Sequence, residues 1–221
     1  MIVSTLLIAI LIPIPGFVTS WMGLRNNKSG KVLSGERVCV RLSPVTCNKV
    51  PSWCDLHRCE YLVITNFQSE IEQNNRKKGI CLSGRVHPGE TSNSHVMESV
   101  LDFLTGPSEE AKEMRDNFIF KVVPMLNVDG VVAGMYRCNH AGVDLNRQWS
   151  EPSKKNHPTI YYTKQMIKKL KEDRTITFYC DTHNHSRKKN IFLYGCTGKD
   201  PYKLEQVFPL LMKKFCPVYS Y

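Results

Sequence analysis

The sequence predicts an α/β fold in which a mixed β-sheet is flanked by helices. Apolar runs of strand length alternate along the chain with segments whose apolar residues recur at helical spacing. Clusters of polar residues follow directly after several predicted strands, where α/β proteins form their sites. A chain of 221 residues with 42% hydrophobic residues is long enough to bury one sizeable core.

The elements follow in order along the chain. The helix over 92–104 is predicted because Val96, Met97, Val100, Leu101 and Leu104 share one helical face. Gly106-Pro107 then ends this helix. The remaining predicted elements are strands over 60–65, 79–86, 117–126, 175–180 and 191–194, and helices over 159–172 and 201–215.

The first 59 residues do not continue this alternation. Residues 26–51 are basic and rich in Ser, Gly and Asn, which predicts a loop or linker. Residues 1–24 carry no charged side chain but contain Pro13 and Pro15. A signal peptide, a membrane anchor, a buried strand and an incorrectly translated segment all fit this stretch.

Composition excludes a fibrous repeat, a fully disordered chain and a multi-span membrane protein. The net charge of +10 favours an acidic partner: nucleic acid, an anionic membrane or an acidic peptide. Nine cysteines form no regular framework, so reduced thiols are expected. One cluster that matches no strong zinc pattern could still bind zinc or form a crosslink: Cys47, Cys54, His57 and Cys59.

Two polar turns after predicted strands offer metal ligands. His87 and Glu90 flank Pro88-Gly89, and a sharp turn there would let both side chains reach one cation. The second turn supplies two histidines, His183 and His185, either of which could complete the site. A catalytic zinc takes three protein ligands and leaves one position open.

A third polar segment lies between these turns. Arg137 and Arg147 each present a planar fork that binds a carboxylate at two points, and Asn146 adds a further hydrogen-bonding group. Asp144 could accept from the non-metal nitrogen of a ligand histidine and so fix its tautomer. Together with the histidines and the glutamate, these residues indicate hydrolysis beside a terminal carboxylate.

These motifs closely resemble the cytosolic carboxypeptidases, zinc protein deglutamylases of the carboxypeptidase A-like group. The resemblance runs from about residue 60 to residue 221 and implies a carboxypeptidase A-like (phosphorylase/hydrolase-like) fold. The blocks that carry it are RVHPGET (85–91), FKVVPMLNVDGVV (120–132), YRCNHAGVDLNRQW (136–149), HPTIYYTK (157–164) and YCDTHNHSRKKNIFLYGC (179–196).

The resemblance implies one Zn²⁺ per chain, held by His87, Glu90 and His183. It also implies that Arg137, Asn146 and Arg147 bind the substrate's C-terminal carboxylate and the polarised carbonyl.

The implied function is removal of glutamates from acidic tails such as those of tubulin, in the cytoplasm, with no nucleic acid involved. Secretion or membrane anchoring through residues 1–24 is the alternative. The basic run 187–189 is expected to attract acidic substrates.

The chain departs from the family pattern at Asn184, usually glycine, and at Val128, usually proline. The family's general base is a glutamate on a later strand, whereas the single glutamate after His183 is Glu205 on a predicted helix. No catalytic residue is therefore assigned.

We expect residues 1–59 to be a non-matching lead. Residues 60–221 are expected to form a partial zinc carboxypeptidase domain, incomplete at its C-terminal side. The alternative function is an inactive fragment or pseudoenzyme that binds zinc and acidic tails.

Overall fold

The computed structural model describes residues 61–66, 76–196 and 205–220 with their side chains, and the backbone at 10–11, 32–33, 36–44, 60 and 204. Most of the hydrophobic lead and the cluster of Cys47, Cys54, His57 and Cys59 lie outside the described residues. No described helix combines the length and the apolar character needed to cross a bilayer.

Eight strands are described, and six of them form one mixed sheet in the order β2-β3-β4-β6-β5-β7. β5, β6 and β7 run parallel, whereas β4 is antiparallel to β6. β1 and β8 form a separate two-stranded parallel pair. The strands are β1 Ile10–Leu11, β2 Val32–Leu33, β3 Glu36–Pro44, β4 Glu60–Asn66, β5 Lys78–Gly84, β6 Phe118–Val123, β7 Ile176–Thr182 and β8 Tyr194–Gly195.

The described helices lie on both faces of the six-stranded sheet, which confirms the predicted architecture. Successive residues of β5 point to opposite faces, so Ile80 and Leu82 pack with one set of helices and Cys81 with another. The helices are α1 Ser92–Leu104, α2 Glu109–Asn117, α3 Val128–Val132, α4 Pro158–Asp173 and α5 Val207–Phe215, with 3-10 turns at Leu145–Arg147 and Leu204–Gln206.

The main core lies between the sheet, α1 and α5. Phe120 and Ile64 from the sheet are fully buried against Leu104 of α1, and Phe208 of α5 packs edge-on against Phe178. On the opposite face, Ile160 and Leu170 of α4 close two smaller clusters. The sheet is therefore covered by helices on both faces, and the ends of its strands remain available to form functional sites.

The prediction of a loop or linker over 26–51 is wrong for part of that segment. β3 pairs with β4 through seven successive residues, from Val38 opposite Asn66 to Pro44 opposite Glu60. Backbone pairing with an existing strand outweighs a polar composition, because strand preference depends strongly on context. The sheet thus continues across residue 60, and the division of the chain at that residue stays a prediction.

Other differences concern boundaries and short helices. The predicted strand over 117–126 ends at Val123, and the predicted strand over 191–194 is reduced to Tyr194–Gly195. The predicted final helix begins with the 3-10 turn at Leu204–Gln206, and 201–203 lie outside the described residues. Helices α2 and α3 were not predicted. Ser108 and Asn127 cap their first turns with side-chain oxygens.

Candidate metal centre

The two predicted ligand turns meet at one edge of the sheet. β5 and β7 are parallel neighbours, so both strands end at this edge. His87 and Glu90 lie in the turn that follows β5, and His183 comes directly after β7. All three side chains point into a common pocket.

The turn after β5 is fixed by hydrogen bonds from its own residues and from neighbouring loops. Arg85 adopts a left-handed backbone conformation, with φ of 55°. Its guanidinium donates to the Pro88 carbonyl oxygen at 2.8 Å and to the Ser94 hydroxyl on α1. The Asn127 side chain donates to the Val86 carbonyl oxygen at 3.2 Å. The turn is therefore held in place even without a bound ion.

Gly89 allows the turn to approach the chain segment at Tyr136. The Gly89 amide donates to the Tyr136 carbonyl oxygen at 2.7 Å. A Cβ atom at position 89 would lie 2.7 Å from that oxygen and 2.6 Å from the Tyr136 ring. A side chain has no room here, so glycine is required by the close approach.

The three predicted ligands present their donor atoms to one another. Nδ1 of His87 lies 2.8 Å from Oε1 of Glu90, and Nδ1 of His183 lies 3.5 Å from Oε2. One donor atom from each residue falls within 4.8 Å of the other two. Ligand atoms about 2.1 Å from a tetrahedral zinc lie roughly 3.4 Å apart, so the donor set fits this ion with small adjustments.

Each histidine points its other ring nitrogen at a carboxylate. Nε2 of His87 lies 3.2 Å from Asp144, and Nε2 of His183 lies 2.8 Å from Asp181. A carboxylate on Nε2 holds the proton there and leaves Nδ1 free to bind a metal. Asp144 was predicted in this role from the sequence, and Asp181 was not.

The ionisable groups in the centre shift one another's pKa values. Burial alone would raise the pKa of Glu90, but hydrogen bonds to His183, His87 and the Asn184 amide lower it to about 2. Burial alone would lower the pKa of His183, but Asp181 and Glu90 raise it to about 10. The centre thus carries excess negative charge that holds a proton on His183 in the absence of a cation.

The predicted substrate-binding residues line the same pocket, which has a volume of about 580 Å³. Arg137 is paired with Asp144 at 2.8 Å. Asn146 donates through its backbone amide to Asp144 and accepts from the indole of Trp149 at 2.9 Å. Arg147 is exposed, and its guanidinium has no carboxylate partner among the described residues.

The structure distinguishes the two histidines of the second turn. His183 is 4% exposed and faces Glu90, whereas His185 accepts from the backbone amides of Arg187 and Lys188. The His185 ring packs against Phe192 with centroids 5.6 Å apart. His185 therefore shapes the basic turn at the pocket rim rather than joining the donor set.

Sequence reasoning missed three residues of the centre: Ser83, Asn93 and Asp181. Ser83 on β5 donates to Asp181 at 2.8 Å. The Asn93 side chain donates to Oε2 of Glu90 at 2.9 Å. The Asp181-Thr182-His183 spacing places Asp181 and His183 on the same side of the strand end, which is the one signal that could have identified Asp181.

Solved structures confirm a carboxypeptidase A-like fold, the fold of the metallocarboxypeptidases. A putative carboxypeptidase A from Shewanella denitrificans OS-217 superposes with a TM-score of 0.68 at 26% identity, covering 82% of this chain and 46% of that one. A metallo-carboxypeptidase from Burkholderia cenocepacia gives the same TM-score at 21% identity, covering 82% of this chain and 47% of that one. At that identity, the second match supports the fold alone.

The zinc carboxypeptidase family model matches residues 57–215, and the chain belongs to that family. Within it, the chain is similar to the cytosolic carboxypeptidases, as its motifs indicated. It is 51% identical over 158 residues to human (Homo sapiens) cytosolic carboxypeptidase 2, covering 71% of this chain and 18% of the relative. It is 45% identical over 161 residues to Bos taurus cytosolic carboxypeptidase 3, covering 71% of this chain and 16% of the relative. The chain therefore spans less than a fifth of the length of these two relatives.

Proposed function

We propose that the protein is a zinc-dependent metallocarboxypeptidase that removes glutamates from acidic protein tails such as those of tubulin. One observation carries this proposal: the donor atoms of His87, Glu90 and His183 lie together within a pocket that Arg137 and Arg147 also line. A metal beside two guanidinium groups suits a substrate that ends in a carboxylate.

Two imidazoles and one carboxylate are a donor set that catalytic zinc sites use, with a further position left for water or substrate. We propose one Zn²⁺ per chain at this position. When bound there, zinc lowers the pKa of water and polarises a carbonyl oxygen. Because Asp144 and Asp181 fix the ring nitrogens, both histidines are already oriented for binding.

The two arginines bind different groups of the substrate. The exposed guanidinium of Arg147 has no acidic partner among the described residues, so it can form a two-point pair with the C-terminal carboxylate. Asn146 adds a neutral donor and acceptor beside it. Arg137 is half-exposed and held by Asp144, which places its remaining N–H groups to bind the carbonyl oxygen of the scissile bond.

The positive charge of the chain supports the proposal of an acidic substrate. The chain carries a net charge of +10, and the basic run 187–189 lies next to the pocket residue Ser186. Lys188 lies over the rings of Phe192 and Tyr194, at 4.7 and 5.1 Å from their centroids, which fixes its ammonium group near the pocket rim. Polyglutamate tails would meet this charge before they reach the metal, and we propose no nucleic-acid partner.

Because the relatives are named cytosolic carboxypeptidases, we propose a cytoplasmic location. Membrane contact or secretion would depend on residues 1–24, most of which lie outside the described part of the chain.

A second candidate function is binding of acidic tails without cleavage. Glu90 is the one carboxylate among the described residues that line the pocket. Its oxygens are engaged by both histidines and by the Asn184 amide, so it cannot also serve as a general base. Loss of acid–base catalysis costs about 10²- to 10⁴-fold in rate.

One experiment separates these candidates. The zinc-loaded 221-residue chain is mixed with a labelled peptide ending in several glutamates, and with the same peptide carrying a C-terminal amide. Fluorescence anisotropy measures binding, and mass spectrometry measures released glutamate. Binding with release supports the peptidase, and binding without release supports the second candidate.

Substitutions test which side chain binds the C-terminal carboxylate of the peptide. Arg147→Ala should weaken binding of the free-acid peptide but not of the amide. Lys169→Ala, an equal charge change on the exposed face of α4, is the matched control. Equal affinity for the acid and the amide would contradict both candidates.

A further inference from the structure

We propose that Ser92 and Asn184 are positioning residues of the metal centre, because a hydrogen bond between their side chains ties the two ligand-bearing turns together. This inference rests on the proposed zinc site. It assigns a role to two residues that supply no ligand atom.

The Ser92–Asn184 hydrogen bond links the two turns directly beside the proposed ligands. The Ser92 hydroxyl donates to Oδ1 of Asn184 at 2.6 Å. Ser92 is the first residue of α1, two positions after Glu90, and Asn184 directly follows His183. The contact therefore fixes the turn after β5 to the turn after β7 at one side of the donor set.

Asn184 and Asn93, the neighbour of Ser92 on α1, fix the orientation of the Glu90 carboxylate. Oε2 of Glu90 accepts from the Asn184 backbone amide and from the Asn93 side chain, each at 2.9 Å. One of these donors comes from each turn. A small displacement of either turn would therefore rotate the carboxylate away from Nδ1 of His183, which lies 3.5 Å from Oε2.

Neither side chain makes another hydrogen bond among the described residues. Among the described residues, the Ser92 hydroxyl bonds the Asn184 side chain and no backbone group of α1. Asn184 is not among the residues with positive φ, so its backbone does not require an asparagine or a glycine. Local backbone preferences thus explain neither residue, whereas the hydrogen bond between their side chains does.

The test measures metal affinity rather than turnover. Zinc affinity of the full chain is determined by competition with a chelating indicator, for the wild type, Ser92→Ala, Asn184→Ala and the double variant. Each single variant should bind zinc about 3- to 10-fold more weakly, the ratio that one hydrogen bond of ordinary net strength supplies. The double variant should be no weaker than the weaker single variant, because both changes remove the same bond.

Two further variants separate positioning from general damage. Ser92→Thr keeps the hydroxyl and should retain wild-type affinity. Ser99→Ala removes an exposed hydroxyl from the same helix, whose one hydrogen bond among the described residues is to the His95 carbonyl oxygen, and should leave zinc affinity unchanged. The absorption bands of the Co²⁺-substituted protein should shift in Ser92→Ala and not in Ser99→Ala, because they report ligand geometry.

The experiment distinguishes failure of the positioning role from failure of the proposed zinc site. If the wild type binds neither Zn²⁺ nor Co²⁺ at one site, the metal centre itself is wrong and the inference falls with it. If the wild type binds metal but Ser92→Ala matches it, or the two losses add fully, the positioning role alone is overturned. Circular dichroism of the metal-free variants confirms that each is folded.

Discussion

Asp144 accepts from both His87 and Arg137, one through each carboxylate oxygen. Oδ1 lies 3.2 Å from Nε2 of His87, and Oδ2 lies 2.9 Å from Nε of Arg137. Burial alone would raise the pKa of Asp144, but the His87 charge, the Asn146 amide and the Arg137 charge lower it below its usual range. One carboxylate thus connects a predicted metal ligand to a predicted substrate-binding group.

Asp144→Asn should weaken both functions of this carboxylate. His87 and Arg137 bond different oxygens of Asp144, and in asparagine an NH₂ group replaces one of them, so one of the two donors loses its acceptor. We expect zinc affinity to fall by about 10- to 100-fold, as is usual when the partner of a ligand histidine is changed. Asp102→Asn, on the exposed face of α1, is the control. Unchanged zinc affinity, measured by chelator competition, would show that His87 needs no carboxylate partner.

Zinc uptake should release a proton from His183. With its pKa raised to about 10, the metal-free imidazole is protonated at pH 7.5, and metal binding at Nδ1 must displace that proton. Apparent zinc affinity should therefore rise by about tenfold per pH unit below the raised pKa and fall as pH is lowered. Calorimetry in buffers of different ionisation enthalpy counts the protons released. A result of zero protons per zinc would contradict this prediction.

Gly89→Ala should displace the turn that carries His87 and Glu90. The added Cβ would meet the Tyr136 carbonyl oxygen, and crowding of this kind costs about 1–3 kcal/mol of unfolding free energy. We also expect weaker zinc binding, measured on the same samples. Because the close contact includes the backbone, adding Tyr136→Ala should not restore stability, and restoration would mean that the ring alone causes the strain.

Lys77→Met should destabilise the fold far from the metal centre. Lys77 is 2% exposed, and its ammonium donates to the Asn66 carbonyl oxygen, the Arg115 carbonyl oxygen and the Thr65 hydroxyl. Methionine fills the space but leaves these acceptors without that donor. We expect a loss of about 3 kcal/mol in urea unfolding, because buried polar groups are costly when unpaired.

The control for this change is Lys168→Met on the exposed face of α4, which should leave the unfolding midpoint nearly unchanged. A stabilised Lys77→Met protein would show that burying the ammonium costs more than its three hydrogen bonds return.

Local sequence patterns predicted the elements that place the site. The apolar spacing of α1 gave the observed bounds, Ser92–Leu104, and the turns after β5 and β7 were identified from their histidines. Helix α2 was missed because its residues are mostly polar and only Ala111 and Arg115 are buried. Its start depends on the Ser108 cap rather than on an apolar stripe.

Contacts between distant segments could not be predicted in this way. The Ser83–Asp181 and Ser92–Asn184 hydrogen bonds depend on strand register and on the path of the turns. Asn184, which stands where the family usually has glycine, does not adopt a positive φ. The choice between His183 and His185 came from family resemblance, and burial supplies the physical basis for it.

The ligand turns follow β5 and β7, so α1, α2, β6, α3 and α4 all lie between Glu90 and His183 in the chain. An ion shared by these turns would act as a reversible cross-link that closes this long segment into a loop. Cross-links that close long loops restrict the unfolded chain most. The same ion would therefore protect the intervening helices from proteases, and a chelator would shorten the lifetime of the whole domain.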